Sequence, residues 1–142
     1  MKILLNVLFL LMMALSFSVP MSACSDPNAC SPDEPCICQV AGECTRFCTD
    51  EGCNMTCKNA GDCHFDCDDG KCNIEAAGEG NVNVTCKKGG CIITAKGQGT
   101  VSVSCEGGKC KMKCEGQGTC KFTNCPTNDC NCSASLTASC DE

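Results

Sequence analysis

The stretch CNIEAAGEGNVNVTC, residues 72–86, and the later stretch CKMKCEGQGTCKFTNC, residues 110–125, match in spacing and in glycines, yet Ala76 and Val82 stand where the later copy has Cys114 and Cys120. Two cysteines leave the pattern together, and two small apolar residues replace them. The period of the pattern explains why. Glycines at 42, 61, 80, 99 and 118 recur every 19 residues. Four cysteine columns share that period. One runs Cys48, Cys67, Cys86, Cys105 and slips by one to Cys125; the next runs Cys53, Cys72, Cys91, Cys110. The third runs Cys38, Cys57, Ala76, Ala95, Cys114, and the fourth Cys44, Cys63, Val82, Val101, Cys120.

Each repeat holds two five-residue segments, among them CNMTC, CHFDC, CNIEA, VNVTC, CIITA, VSVSC, CKMKC and CKFTN. Their ends are Cys, Val or Ala, with Asn124 the exception, and their middles are Met, Phe, Ile or Val. The positions between are mostly polar, Ile92 being the outward apolar residue. This alternation with period two marks half-buried strands. The middle residues form one apolar column: Met55, Phe65, Ile74, Val84, Ile93, Val103, Met112 and Phe122. Connectors are of four residues (TDEG, DDGK, KKGG, EGGK) or five (KNAGD, AGEGN, KGQGT, EGQGT), with glycines for backbone angles other residues resist. A fixed period with glycines and cysteines in register favours coiling over a stack of hairpins. The expected fold is all-β: a small disulfide-stapled β-solenoid with 19-residue rungs and two short strands per rung. About five rungs at roughly 4.8 Å make a body about 24 Å tall.

In such a rung the last residue of one strand and the first of the next point inward across a short arc. Where both are cysteine they can bond. The pairs are Cys48–Cys53, Cys67–Cys72, Cys86–Cys91 and Cys105–Cys110 across four-residue arcs, and Cys38–Cys44, Cys57–Cys63 and Cys114–Cys120 across five-residue arcs. The arcs between Ala76 and Val82 and between Ala95 and Val101 lack both partners, so an apolar pair replaces a whole bridge. A rival scheme joins neighbours up a column, as in 48–67 and 38–57, and rungs are close enough for it. It leaves Cys114 and Cys120 without column neighbours, which favours bonding within rungs. Cys30–Cys36, Cys125–Cys130 and Cys132–Cys140 complete the ends, leaving Cys24 as the odd cysteine of 21.

The flanks read differently from the repeats. Met1-Lys2 and the apolar run ILLNVLFLLMMAL, residues 3–15, resemble a secretory signal peptide, too short to span a membrane. Cleavage could follow Ser18 or Ala23; alternatively MSAC is similar to a bacterial lipobox that would lipidate Cys24. The expected division is 1–23 signal peptide, 24–43 cysteine-rich N-terminal cap, 44–125 solenoid repeats and 126–142 cysteine-rich C-terminal cap. Secretion and cysteine density together point to an oxidising, extracellular compartment. A metallothionein-like cluster fits less well, because C-x-C spacing occurs only at Cys36/Cys38 and Cys130/Cys132. The formal charge of −6 argues against nucleic acid as a partner. Residues 24–86 hold 12 acidic and 3 basic side chains, residues 87–142 hold 5 and 7. This asymmetry is either a solvated surface or a field favouring weak end-to-end self-association.

Residues 76–105 carry GEGNVNVTC and GQGTVSVSC. These resemble a family of bacterial secreted and lipid-anchored domains of unknown function whose repeats read roughly G-x-G-N-x-V-x-V. The resemblance implies a solenoid and an exported protein, and names no activity. The cysteine stapling is similar, in architecture only, to that of beetle antifreeze proteins. Those present regular T-x-T rows, whereas the outward pairs here, such as Asn54/Thr56, Asn73/Glu75 and Lys111/Lys113, mix charges. Ice binding is therefore a minor reading.

Catalytic chemistry is not visible. His64 is the only histidine, beside Cys63 and near Cys67, which belong to the structural columns. Asp66, Asp68, Asp69 and Gly70 faintly suggest a calcium loop, but the 12-residue pattern with its distal Glu is missing. Asn54 and Asn83 sit in glycosylation sequons, and Asn131 in a weaker one. The reading is a secreted, non-enzymatic repeat protein with no cofactor and no metal, serving as a rigid binding or structural module for an unknown extracellular protein or surface. The alternative is a secreted toxin or defence factor. Each bridge closes a loop of about six residues, on the order of 2 kcal/mol in the chain-entropy model, while the apolar column is thin. Reduction is therefore expected to abolish the strand signal in far-ultraviolet circular dichroism; a reduced chain that keeps it contradicts the reading.

Overall fold

The computed structural model describes residues 26–39, 41–58, 60–135 and 137–141. Residues 1–23, read from the sequence as a signal peptide, the expected cleavage positions and Cys24 lie outside the described residues. Residues 76–105 show how the coil forms. Strand β6 (Asn73–Ala76) leads through a five-residue arc into β7 (Val82–Thr85), a four-residue arc follows, and β8 (Ile92–Ala95) returns beside β6. Every named strand pairing is parallel. The register shift between repeats is 19 residues, so Ile74 pairs with Ile93 and Val84 with Val103. The described residues form an all-β solenoid of about six turns with two strands per turn.

One sheet has seven strands: β1 (Ala29–Cys30), β3 (Cys44–Cys48), β5 (Cys63–Asp66), β7, β9 (Val101–Ser104), β11 (Thr119–Asn124) and β13 (Ser139–Asp141). The other has six: β2 (Cys36–Cys38), β4 (Asn54–Cys57), β6, β8, β10 (Lys111–Cys114) and β12 (Asn131–Ala134). Strands therefore also come from the flanking segments 24–43 and 126–142: β1 and β2 pair with β3 and β4, and β12 and β13 with β10 and β11.

Between the sheets lies the narrow core. Met55, Phe65, Ile74, Val84, Ile93, Val103 and Met112 are buried, and sulfur flanks them. Ten disulfides are present among the described residues, each joining the two sheets across an arc. They are Cys30–Cys36, Cys38–Cys44, Cys48–Cys53, Cys57–Cys63, Cys67–Cys72, Cys86–Cys91, Cys105–Cys110, Cys114–Cys120, Cys125–Cys130 and Cys132–Cys140. Column pairing up the stack does not occur among them. Ala76, Val82, Ala95 and Val101 are buried where two bridges are replaced.

The ends depart from the repeat in a way the C-x-C spacing encodes. Residues two apart on a strand share a face. Cys38 stands on the edge column above Cys57, so Cys36 stands on the central column above Met55. At the other end Cys132 takes the central position beneath Met112. The bridges Cys30–Cys36 and Cys132–Cys140 thus each plant one foot in the central column. Sulfur replaces a long apolar side chain there and closes the stack. In the seven-stranded sheet Arg46 occupies the central register opposite Phe65. Its guanidinium donates to Asn28 Oδ1 at 2.8 Å and to the Thr45 carbonyl at 2.9 Å, so the charged head leaves the core. The one-residue slip to Cys125 is a β-bulge in β11, where Phe122 pairs with Val103 and Asn124, skipping Thr123, with Ser104. Phe122 is only partly buried there.

The glycine ladder has a different cause from the one its turn setting suggests. In the four-residue arcs Gly70, Gly89 and Gly108 do have positive φ, between 71° and 82°. Gly61, Gly80, Gly99 and Gly118 do not, but a Cβ on any of them would fall inside the carbonyl oxygen of the glycine one turn earlier. Successive arcs also hydrogen-bond, as Lys96 N donates to the Ala76 carbonyl at 2.7 Å and Gln117 N to the Gly97 carbonyl at 3.1 Å. The arcs are therefore stacked backbone on backbone. Gly99→Ala is expected to destabilise the oxidised protein by about 1–3 kcal/mol through overpacking; a guanidinium melt with unchanged midpoint refutes this close stacking.

Candidate functional site

With the inward positions filled by core and sulfur, the outward faces carry the accessible chemistry. On the six-stranded face Asn54, Asn73, Ile92 and Lys111 form one row by register. Ile37, Thr56, Glu75 and Thr94 form the next. Asn73 Nδ2 donates to Asn54 Oδ1 at 3.3 Å, joining these two exposed amides across one turn. Ile92 is 50% exposed and Ile37 42%, the exposed large apolar residues among those described, and both lie on this face. A shallow groove of about 320 Å³ runs over Asn54, Thr56, Asn73, Glu75, Ile92 and Thr94.

The opposite face carries a smaller groove of about 190 Å³ over Thr45, His64, Asp66, Asn83 and Thr85. His64 Nε2 lies 3.4 Å from Glu43 Oε1. Asp66 and Asp68 sit where the strand turns into the arc, and the Oδ1 atoms of both are buried with no hydrogen-bond partner among the described residues. Asp68 also faces Lys87, whose Nζ donates to its Oδ2 at 2.6 Å. Burial and then the adjacent Asp68 carboxyl raise the pKa of Asp66, with Lys87 opposing. The Lys87 hydrogen bond lowers that of Asp68.

Part of the charge forms local pairs between turns. Glu51 meets Lys71 at 2.7 Å, Asp68 meets Lys87, Asp69 meets Lys88 and Glu75 meets Lys96 at 3.0 Å. In each case the acid lies one turn before the lysine. Such exposed pairs contribute little to stability individually, but they match like rungs to unlike neighbours. The backbone is tied the same way on the opposite arc: Asn81 N donates to Asp62 Oδ1 at 2.9 Å and Thr100 N to Asn81 Oδ1 at 3.1 Å.

Cys63 and Cys67, the conceivable thiol partners of His64, are in the Cys57–Cys63 and Cys67–Cys72 bridges, so neither offers a thiolate. Asp68 and Asp69 of the faint calcium motif face lysines instead of an open cation site. Asn54 and Asn83 are exposed on β4 and β7, and Asn131 on β12. Three groups of closely spaced sulfurs have metal-ligand proximity, but every one of those sulfurs is in a disulfide. The pairing of Ile37 and Ile92 on one face, and the Asp66–Asp68 contact, were not singled out in the sequence. Ile37 could have been found, as Ile92 was, by following outward strand positions; the carboxyl pair depends on how the arc turns.

Among the described residues no helix is long and apolar enough to cross a membrane. Comparison of the chain with family models, with curated proteins and with solved structures finds no match. The structure shows a cysteine-stapled β-solenoid, and no match supports the likeness of residues 76–105 to exported bacterial repeats.

The raised pKa of Asp66 has a definite pH signature. Its folded value lies above the unfolded carboxyl value of about 3.9. Stability associated with the protonated form is complete below the unfolded value and is lost as pH rises through the folded one. Asp66→Asn is therefore expected to raise the thermal midpoint at pH 7 and leave it unchanged at pH 3. A midpoint gain of equal size at both pH values would show that ionisation of Asp66 is not involved.

Proposed function

We propose that this chain is an exported, non-enzymatic binding module. Its six-stranded face is the contact surface for an extracellular protein or a cell-surface component. The observation that carries this reading is the position of Ile92, half exposed in the middle of an ordered field of amides, hydroxyls and charges. A mixed apolar and polar surface of this kind suits a macromolecular partner, for which a desolvated anchor is ringed by polar contacts.

The bridges support the same reading. Each rung is closed at one or both edges by sulfur, so the outward side chains stand on a backbone with little freedom left to lose. Binding to a pre-organised surface avoids part of the ordering cost of association. The same bridges suit an oxidising extracellular location. The rows of mixed residues on this face, one strand spacing apart, offer apolar and polar contacts side by side to a partner lying along the stack.

Labelled oxidised protein applied to intact cells of the source organism is expected to bind saturably. Ile92→Glu is expected to weaken that binding at least tenfold without lowering the thermal midpoint. Asn83→Ala, on the opposite face, is expected to leave it unchanged. Binding indifferent to Ile92→Glu overturns the assignment of the face, and a clear toxic effect of the oxidised protein at low dose on cells or prey tissue puts the toxin reading first.

A further inference from the structure

At the C-terminal end of the coil, sulfur atoms of adjacent turns lie close enough to exchange partners. Cys114–Cys120 and Cys132–Cys140 are the last two bridges on the edge closed by five-residue arcs. Cys114 Sγ lies 4.0 Å from Cys132 Sγ, and the Sγ atoms of Cys114, Cys132 and Cys140 are all within 4.8 Å of one another. Cys120 and Cys140 are direct register partners on β11 and β13. Access differs sharply between the two bridges. Cys114 and Cys120 are each 1% exposed, whereas Cys132 and Cys140 are half-buried.

Two other sulfur triplets exist, Cys48/Cys67/Cys72 and Cys86/Cys91/Cys110, and all their members are buried. Cys125–Cys130 is also partly exposed but belongs to no triplet. Among the triplets, the C-terminal one alone joins a bridge that solvent can reach to one that it cannot. We infer that this end is a thiol–disulfide exchange site. An external thiolate starts the exchange and is released at its end, and the exchange passes inward to the buried Cys114–Cys120 bridge.

The chemistry balances without a net oxidant or reductant. An external thiolate attacks Cys140 Sγ, forms a mixed disulfide there and expels the Cys132 thiolate. Cys132 attacks Cys114 Sγ, forming Cys114–Cys132 and expelling the Cys120 thiolate. Cys120 attacks the mixed disulfide at its register partner Cys140, forming Cys120–Cys140 and releasing the external thiolate. Two bridges are broken and two are formed. The move asked of the protein is that β12 draw Cys132 toward Cys114. That strand is an edge strand with exposed Asn131, Ser133 and Ala134, paired only to β10. At this end the chain thus has two sulfur connectivities, and a thiol is the catalyst that interconverts them.

The second step can be isolated in Cys140→Ser, which presents Cys132 as a thiol with no reductant added. After acid quench and alkylation, peptide mapping is expected to find Cys114 linked to Cys132 and the alkyl group on Cys120. Alkylation confined to Cys132, with Cys114–Cys120 intact, overturns the inference. The wild-type protein exposed to limiting reduced glutathione provides the same test without a substitution. Cys120 is expected to be trapped before any cysteine of the Cys67–Cys72 or Cys86–Cys91 bridges, and Cys132→Ser is expected to abolish that early trapping. Equal labelling of all bridges, or early Cys120 labelling that survives Cys132→Ser, overturns it.

Discussion

Sulfur bridges across the narrow edges hold apart two sheets that enclose little more than a single apolar column. A sheet pair usually keeps its separation by interdigitating several rows of side chains. Here each strand contributes one central residue and its two ends, and the ends are mostly cysteine. A bridge at such an end does two things at once. It fills the edge of the core with a polarisable, fully buried group, and it shortens the unfolded chain's freedom by closing a small loop. Where the bridge is absent, at Ala76/Val82 and Ala95/Val101, neighbouring rungs carry the clamp and an apolar contact suffices. The two unbridged arcs are adjacent and central, flanked by bridged turns on either side.

Parallel stacking at one fixed offset makes every other feature repeat. Backbone passes over backbone at the arcs, so the residue there must lack a side chain, and glycine recurs with the period of the coil. Outward residues meet their counterparts one turn away, which puts acids beneath lysines and amides against amides. The coil cannot repeat indefinitely, because its last turn would expose the column. Sulfur solves this as well: Cys36 and Cys132 step from the edge into the centre and close both ends. The C-terminal closure also brings an accessible bridge against a buried one, which gives that end a chemistry the interior lacks.

A scaffold built this way leaves function to its surface. Apart from Arg46 and the bulged end of β11, the inward half of the strands is committed to core or sulfur, so variation falls mainly on outward positions and arcs. On the six-stranded face that variation places Ile37 and Ile92 among polar neighbours, and on the other it places His64, Asp66 and Asn83 along one groove. Rigidity and display are thus consequences of one arrangement.

The sequence by itself determined the coil. Its period, its strand alternation and the joint loss of paired cysteines are one-dimensional records of three-dimensional contacts, since each turn sees the same neighbours. The C-x-C spacing at Cys36/Cys38 and Cys130/Cys132 also encoded the end closures, because residues two apart share a face. Tertiary structure decided what depends on distances between turns. The glycines of the long arcs answer to the carbonyl one turn away, which local turn chemistry does not reveal. Which acid meets which lysine between turns followed only from the register. The Asp66–Asp68 contact and the proximity of Cys114 to Cys132 depend on arc path and side-chain reach over a few ångströms, and a one-dimensional pattern specifies order and spacing but not those last ångströms.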